Sequence, residues 1–311
     1  MKLTASAVSG IQHRGGTILY SSNKDNLFDY TVIEDGKEVK KDVSDVAIEN
    51  MKKEGVDALI VIGGDGTLTS ARDFARKGVK VIGVPKTIDN DLAVTDVTFG
   101  FNSAISVARE ALDRLHTTAE SHHRIMVLEV MGRNTGWIAL ESGIAGSADV
   151  ILIPEIPFTI ENIAKKISNR HKKGKLFSII VVAEGATFAD GKAVIKQIVK
   201  DSPDPIRLGG IGNMLCAKLE EYDSKLEVRN TVLGHLQRGG APVTYDRLLS
   251  TRYGVAAIEL LMDNRFGNMV ALRGSKMTYV HLENVIGRNK TVDINGDLVR
   301  TARSVGISFG D

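Results

Sequence analysis

The feature that constrains this chain most is a regular alternation of short, uninterrupted apolar runs with longer amphipathic stretches. Residues 57–62 (DALIVI), 80–84 (KVIGV), 124–130 (RIMVLEV), 150–153 and 177–183 (FSIIVVA) read as strands. Residues 68–76, 102–116, 135–145, 160–173 and 211–222 lie between or after them with helical spacing. Near-continuous Val/Ile runs, in place of polar–apolar alternation, mean strands buried on both faces, as in a parallel sheet covered by helices on both sides. Residues 227–233, 243–262 and 269–272 repeat strand–helix–strand. The expected fold class is α/β and doubly wound, with two mainly parallel sheets. The 311 residues suit two domains on the usual scale of about 100–200 residues each.

Glycine is the next constraint. There are 31 glycines against six prolines. Many fall just after strands: Gly63, Gly64 and Gly66, then Gly132, Gly185, Gly239 and Gly240. In open α/β sheets, ligands sit outside the carboxyl ends of strands, so these glycines all mark one edge. Forty Lys+Arg against 38 Asp+Glu give a net charge of +2, which argues against a polyanion-coating protein but permits a local anion pocket. No nucleic-acid partner is expected.

The single cysteine, Cys216, excludes a disulfide framework and a multi-cysteine metal site, and its helical apolar surroundings make it a core residue. No apolar run approaches the ~18–20 residues of a spanning helix. The opening MKLTASAVSGIQHRGG lacks an apolar signal region. A cytoplasmic protein with no membrane partner is expected.

Four clusters at strand ends carry the chemistry. In VIGGDGTL, a strand enters a glycine turn and then a helix, a geometry that directs backbone N–H groups at phosphate. Asp65, in its middle, suits a carboxylate reaching a phosphate-bridging Mg²⁺; the bland alternative is a tight turn with Asp65 as helix cap. VPKTIDNDL follows the next strand and places Lys86, Asp89 and Asp91 within six residues. Two neighbouring carboxylates repel unless their roles separate, one as general base and one as metal ligand. In EVMGRNTGW, Gly132 and Gly136 leave room for Arg133, suited to a phosphoryl group in transfer. Trp137, the only tryptophan, reads as core packing. RNTVLGHLQRGGAPVTYDR gathers Arg229, His235 and Arg238, which with Arg124 can capture a phosphorylated small molecule. Glu184, in VVAEGA, is also at a strand end and suits binding to sugar hydroxyls; the bland alternative is a helix N-cap interaction.

Taken in order, GGDGT, PKTIDND, MGR, AEG and LGHLQRGG resemble the 6-phosphofructokinase family, from about Gly15 to beyond Arg252. The resemblance implies an active-site cleft between two domains, 1–100 with 239–285 for the phosphoryl donor and 101–238 with 286–311 for fructose 6-phosphate. It implies phosphoryl transfer to the sugar's 1-hydroxyl. Asp89 is then the general base, with Arg133 and Thr87 completing the catalytic set. Gly64, Asp65, Gly66, Thr67 and Lys86 line the donor, and Asp65 and Asp91 hold Mg²⁺. Thr87, Ile88, Asp89, Met131, Gly132, Arg133, Glu184, His235, Leu236, Gln237 and Arg238 meet the sugar phosphate. Arg124 and Arg229 are expected to reach the neighbouring subunit's site in a homodimer or homotetramer.

Donor choice turns on two positions. Glycine at Gly66 leaves the channel open for ATP, whereas Lys86 accompanies pyrophosphate use in this family; ATP is the expected donor and pyrophosphate the alternative. At the front, the family's opening strand, glycine loop and helix have no counterpart, and Ser22 is followed by Asn23 and Lys24 with no arginine. That departure implies an incomplete chain or, in the other reading, a non-catalytic sugar-phosphate-binding paralogue. Lys172, Lys173 and Lys175 are expected to be a solvated helix end, with an effector pocket as the alternative.

Overall fold

The computed structural model describes residues 2–22, 26–191, 195–198 and 206–311. Asn23, Lys24 and the 200–205 part of the expected surface loop lie outside the described residues. A short helix α1 (Ala5–Val8) and a hairpin, β1 (Tyr30–Glu34) and β2 (Lys37–Lys41), precede α2 (Ser44–Lys53). Then come β3 (Leu59–Gly63), α3 (Asp65–Arg76), β4 (Val81–Thr87), β5 (Phe99–Gly100) and α4 (Phe101–His122). The middle of the chain forms β6 (Ile125–Val130), α5 (Trp137–Ala145), β7 (Val150–Leu152), α6 (Ile160–Lys172) and β8 (Ser178–Ala183). A hairpin of β9 (Ile195–Ile198) and β10 (Ile206–Leu208) leads to α7 (Ile211–Tyr222) and β11 (Val228–Val232). The chain ends with α8 (Thr244–Met262), β12 (Asn268–Arg273), β13 (Lys276–His281) and α9 (Asp297–Ser304).

Two sheets organise these elements. One has the order β11-β6-β8-β7 and is parallel throughout. The other runs β13-β12-β4-β3, with β5 also paired to β4, and only β13 is antiparallel to its neighbour. The expected two mainly parallel sheets are therefore present. Strand β3 lies at an edge, and its Ile62 is 50% exposed, so its outer row of backbone groups meets no strand among the described residues.

The core strands sit within two or three residues of their expected bounds because burial on both faces demands uninterrupted apolar side chains. The hairpin β1–β2 was not expected. All five residues of β2 are exposed, so it carries no apolar pattern, but Asp35 and Gly36 between the strands both have positive φ, the geometry that an Asp-Gly turn favours. Helix α3 begins at Asp65, three residues before the apolar spacing starts at Leu68. Helix α4 runs on to His122, six residues beyond its expected end.

Helix α4 joins the two halves. It leaves β5 directly, through Gly100 in the left-handed region, and packs on α5, β6 and β8. Its first turn is held by Asp246 of α8, which is buried and accepts from the Ser103 backbone N–H at 2.7 Å and hydroxyl at 2.6 Å. Cys216 is half-buried on α7, and its thiol is pushed up to about 11, by burial first and then by Glu220, in keeping with an unreactive packing role. Lys172, Lys173 and Lys175 are exposed at the C-terminal end of α6, where cations complement the helix dipole.

A buried carboxylate fixes the β11-β6-β8-β7 sheet to α7. Glu129, 3% exposed on β6, accepts from the Gly210 N–H at 3.0 Å and the Gly212 N–H at 2.8 Å, at the helix N-terminus. Its charge is met by backbone dipoles in place of water. Replacing Glu129 with alanine would leave both amides unsatisfied in the core. Glu129→Ala is expected to destabilise the chain by about 3 kcal/mol, and Glu129→Gln by less, in urea unfolding.

Candidate active site

The expected donor side of the site is the junction of β3 and α3. A Cβ on Gly63 would lie 2.4 Å from the Cβ of Thr67, so only glycine lets the helix start this close to the strand. Gly64 is the N-cap, extended at φ −88° and ψ −165°, and its carbonyl accepts the first helical bond from Leu68 at 2.9 Å. The amides of Asp65, Gly66 and Thr67 therefore belong to the first turn, where N–H groups have no intrahelical acceptor and favour an anion. A Cβ built on Gly66 meets nothing within 4 Å, so the space in front of this turn is open.

The next strand, β4, delivers the loop that carries Thr87, Asp89 and Asp91. Lys86 and Thr87, the last residues of β4, are held by pairing with Phe99 and Gly100 of β5. Ile88, expected to touch substrate, is instead 7% exposed and packed into the core below the loop. Apolar burial outweighs ligand contact for that side chain. The Thr87 hydroxyl accepts from the Asp89 N–H at 3.2 Å, and the Thr98 hydroxyl donates to the Thr87 carbonyl at 2.8 Å. Asn90 turns the chain in the left-handed region at φ +53°, and its side-chain oxygen accepts from the Thr98 N–H at 3.1 Å. Thr135 donates to the Asp89 carbonyl at 3.3 Å. Asn90, Thr98 and Thr135 were not among the expected site residues. Asn90 had a signal, since asparagine is enriched at positive φ, whereas the threonines are distant in sequence and had none.

This loop assembles a concentration of negative charge. Burial raises the Asp89 carboxyl above its usual range, opposed by the cations Arg238 and Lys86. Asp91 is pushed up to about 6, by burial first and then by the charges of Asp89 and Asp65; its Oδ1 is buried without a hydrogen-bond partner. Glu184 is pushed up to about 7, by burial, then Asp89, then Glu129, against the opposing pull of Arg238. The Lys86 ammonium is lowered by desolvation and by Arg238. These mutual effects mean that Asp65, Lys86, Asp89, Asp91, Glu184 and Arg238 lie within electrostatic reach of one another.

The expected sugar side comes from the ends of β6 and β8. Gly132 sits at φ +130°, where a side chain would be strained. A Cβ on Gly185 would lie 1.9 Å from the Arg133 carbonyl, so the turn after β8 must be bare for the Arg133 segment to pass. The Gly185 N–H donates to the Gly132 carbonyl at 3.1 Å. Met131 is half-buried against the core. A 3₁₀ turn over Gly234–Arg238 leaves His235, Leu236 and Arg238 exposed.

Gln237 is turned inward, and Arg124 and Arg229, expected at a neighbouring subunit's site, lie away from this one. Gln237 is 2% exposed: its carbonyl accepts from the Met131 N–H at 2.8 Å and its amide donates to Ala104 at 3.4 Å. It braces the loop after β6 and has no face left for a ligand. Arg124 and Arg229 stand near the amino ends of β6 and β11, about one strand length (roughly 20 Å) from the other site residues. Within the chain they form a separate cluster, with Arg124 donating to Glu227 at 2.7 Å and Arg229 3.6 Å from Glu220.

Fold and site geometry together define a phosphoryl-transfer protein, and comparison with known proteins assigns the family. The phosphofructokinase family profile matches residues 1–261, and the chain belongs to that family. It is 70% identical to the ATP-dependent 6-phosphofructokinase 2 of Clostridium perfringens, across 100% of this chain and 85% of that one. It is 51% identical to the ATP-dependent 6-phosphofructokinase of Chloroflexus aurantiacus, over 99% and 84%. Among solved structures it superposes on Saccharomyces cerevisiae phosphofructokinase with a TM-score of 0.75 and 29% identity, covering 91% of this chain and 38% of that one.

The raised Glu184 carboxyl has a consequence for stability. An acid whose folded pKa lies near 7, against 4.5 in the unfolded chain, holds its proton longer when folded. Stability is therefore lost as pH rises through that window. Glutamine, which mimics the protonated form, escapes the loss. The Tm advantage of Glu184→Gln over wild type is expected to grow between pH 5 and pH 8; a constant difference would mean that Glu184 ionises freely.

Proposed function

We propose that this chain is an ATP-dependent 6-phosphofructokinase, transferring the γ-phosphoryl group to the 1-hydroxyl of fructose 6-phosphate to give the 1,6-bisphosphate. The observation that carries this reading is the placing of Asp89. It is a desolvated carboxylate countered by Lys86 and Arg238, beside Asp91 and next to the open first turn of α3. The names of relatives at 70% and 51% identity support ATP as donor. The open space at Gly66 agrees, since the α-phosphate and nucleoside of ATP need it.

Each residue then has a physical task. Asp89 takes the proton of the sugar hydroxyl, which its raised affinity for protons favours. Thr87 holds the Asp89 backbone in line. Arg133 and Arg238 meet charge on the transferring and sugar phosphates, and Glu184 accepts from sugar hydroxyls. The α3 amides and Lys86 receive the donor phosphates.

The loop also suits a metal. Among the described residues no group of three or more His, Cys, Asp or Glu side chains forms a complete metal cage. Mg²⁺ needs none, because it binds through one or two carboxylates together with phosphates and water. Asp91, with its unpartnered buried Oδ1, and Asp65 beside it fit that requirement. Mg²⁺ bound there would neutralise charge across the donor phosphates.

The domain assignment follows the sheets: 1–100 with 239–285 for the donor, and 101–238 with 286–311 for the sugar. Among the described residues no helix is long and apolar enough to cross a membrane, and the cytoplasm is the proposed place of action. The distance of Arg124 and Arg229 from Asp89 supports their serving a second subunit's site in a homo-oligomer.

Three measurements test this reading. In a coupled assay the purified chain should turn over fructose 6-phosphate with ATP; activity with pyrophosphate alone, or sugar binding without turnover, would overturn the assignment. Asp89→Asn should lower kcat by roughly 10²–10⁴ with little change in KM. Co-expressed Asp89→Asn and Arg124→Ala chains should regain activity that neither has alone, because mixed oligomers contain some complete shared sites.

A further inference from the structure

We infer that Lys290 is a positioning residue that sets the catalytic loop, tying the Asp89–Asp91 turn to both halves of the molecule at once. The inference rests on the proposed kinase reading of that loop and deepens it. Lys290 lies far from the glycine-marked clusters in sequence, in the stretch between the 3₁₀ turn at Leu282–Asn284 and α9. Three of its groups are used. Its backbone N–H donates to the Asp91 carbonyl at 2.8 Å, and Leu92 bridges Asn289 beside it. Its carbonyl accepts from the Trp137 indole N–H at 2.6 Å, on α5. Its ammonium donates to the Asp96 carbonyl at 2.5 Å and the Thr95 carbonyl at 3.3 Å, while lying 5.4 Å from the centre of the Trp137 ring.

The ammonium's acceptors are themselves rigid. The Asp96 N–H donates to the Leu272 carbonyl of β12 at 2.9 Å. The Thr95 hydroxyl accepts from the Leu272 N–H at 3.0 Å and lies 2.9 Å from the Tyr253 hydroxyl on α8. Lys290 thus connects a firmly anchored segment of the donor-side sheet, a helix of the other half, and the carbonyl of Asp91.

Packing does not make this tether redundant. A cavity of about 650 Å³ opens behind the loop, lined by Asn90, Thr95, Asp96, Trp137, Glu141 and Lys290 among others. Ile88 and Leu92 anchor the loop in the core on either side, and over the cavity between them directed polar contacts supplement that packing. Phosphoryl transfer depends on alignment, and a shift of about 1 Å can cost 10²-fold in rate.

The test uses Lys290→Met and Lys290→Arg in the full chain. Methionine keeps the apolar stem over Trp137 and both backbone bonds but removes the ammonium's donors; arginine restores them. In Lys290→Met, kcat is expected to fall roughly tenfold or more, with half-saturating Mg²⁺ raised several-fold and the KM for fructose 6-phosphate changed less than about threefold. Lys290→Arg should recover most of the loss.

A second readout does not depend on turnover. Trp137 is the only tryptophan, so emission excited at 295 nm reports this junction. Adding Mg²⁺ with ATP should shift that emission in wild type, and the shift should be absent in Lys290→Met. Wild-type kcat and Mg²⁺ dependence in Lys290→Met would overturn the inference. So would a loss tracking only the fraction of folded protein, with no rescue by arginine. An inactive wild type would instead overturn the functional reading, and the emission comparison would then decide the tether alone: an equal shift in both chains refutes it.

Discussion

Mutual repulsion among Asp89, Asp91 and Glu184 is the constraint on which the rest of this site depends. Burial raises all three carboxyls, and each lies within reach of another acid that raises it further or is raised by it. Such a cluster would relax into solvent unless its backbone were held. The holding is done by short, specific contacts: the Thr87 hydroxyl on the Asp89 amide, Thr98 on Thr87 and Asn90, Thr135 on the Asp89 carbonyl. Lys86 and Arg238 supply opposing positive charge, and the Lys86 ammonium is itself lowered by desolvation and by Arg238. In the proposed reading, a cation and a phosphorylated ligand would both ease the crowding of negative charge at this site.

The fold serves this constraint by bringing two strand edges together. One sheet presents the first turn of α3 and the end of β4; the other presents the ends of β6 and β8. Helix α4, anchored through Ser103 to Asp246 on α8, joins the two. Glycines then remove bulk at the closest approaches. Gly63 lets α3 begin against β3, and Gly185 lets the chain at Arg133 pass over the end of β8. Gln237 shows how packing divides one motif into inward and outward side chains. It faces inward to brace Met131, while its neighbours Leu236 and Arg238 face the solvent.

Much of this was legible in the sequence, for reasons specific to each element. Strands β6 and β8 announce themselves as apolar runs because they are covered on both faces. GGDGT and PKTIDND could be read as neighbours on one edge because each follows a buried strand directly. Hairpin β1–β2 was missed, since an exposed ribbon such as KEVKK carries no burial pattern and only its Asp-Gly turn marks it. Glu129 was hidden inside an apolar strand, and its partners are amides some eighty residues away. Ile88 and Gln237 were placed on the substrate by their motifs, whereas packing turns both inward.

The amino-acid pattern was enough to establish the α/β architecture and to mark the strand ends and residue types on which the proposed site rests. Those are local properties, set by burial period, by glycine's backbone freedom and by the chemistry of carboxylates and guanidinium groups. Which carboxylates share a cleft, which motif residues face inward, and that Lys290 reaches Asp91, Trp137 and Thr95 together were matters for the folded chain. Such contacts join residues far apart in sequence, and a linear pattern holds no record of what packing brings within hydrogen-bonding distance.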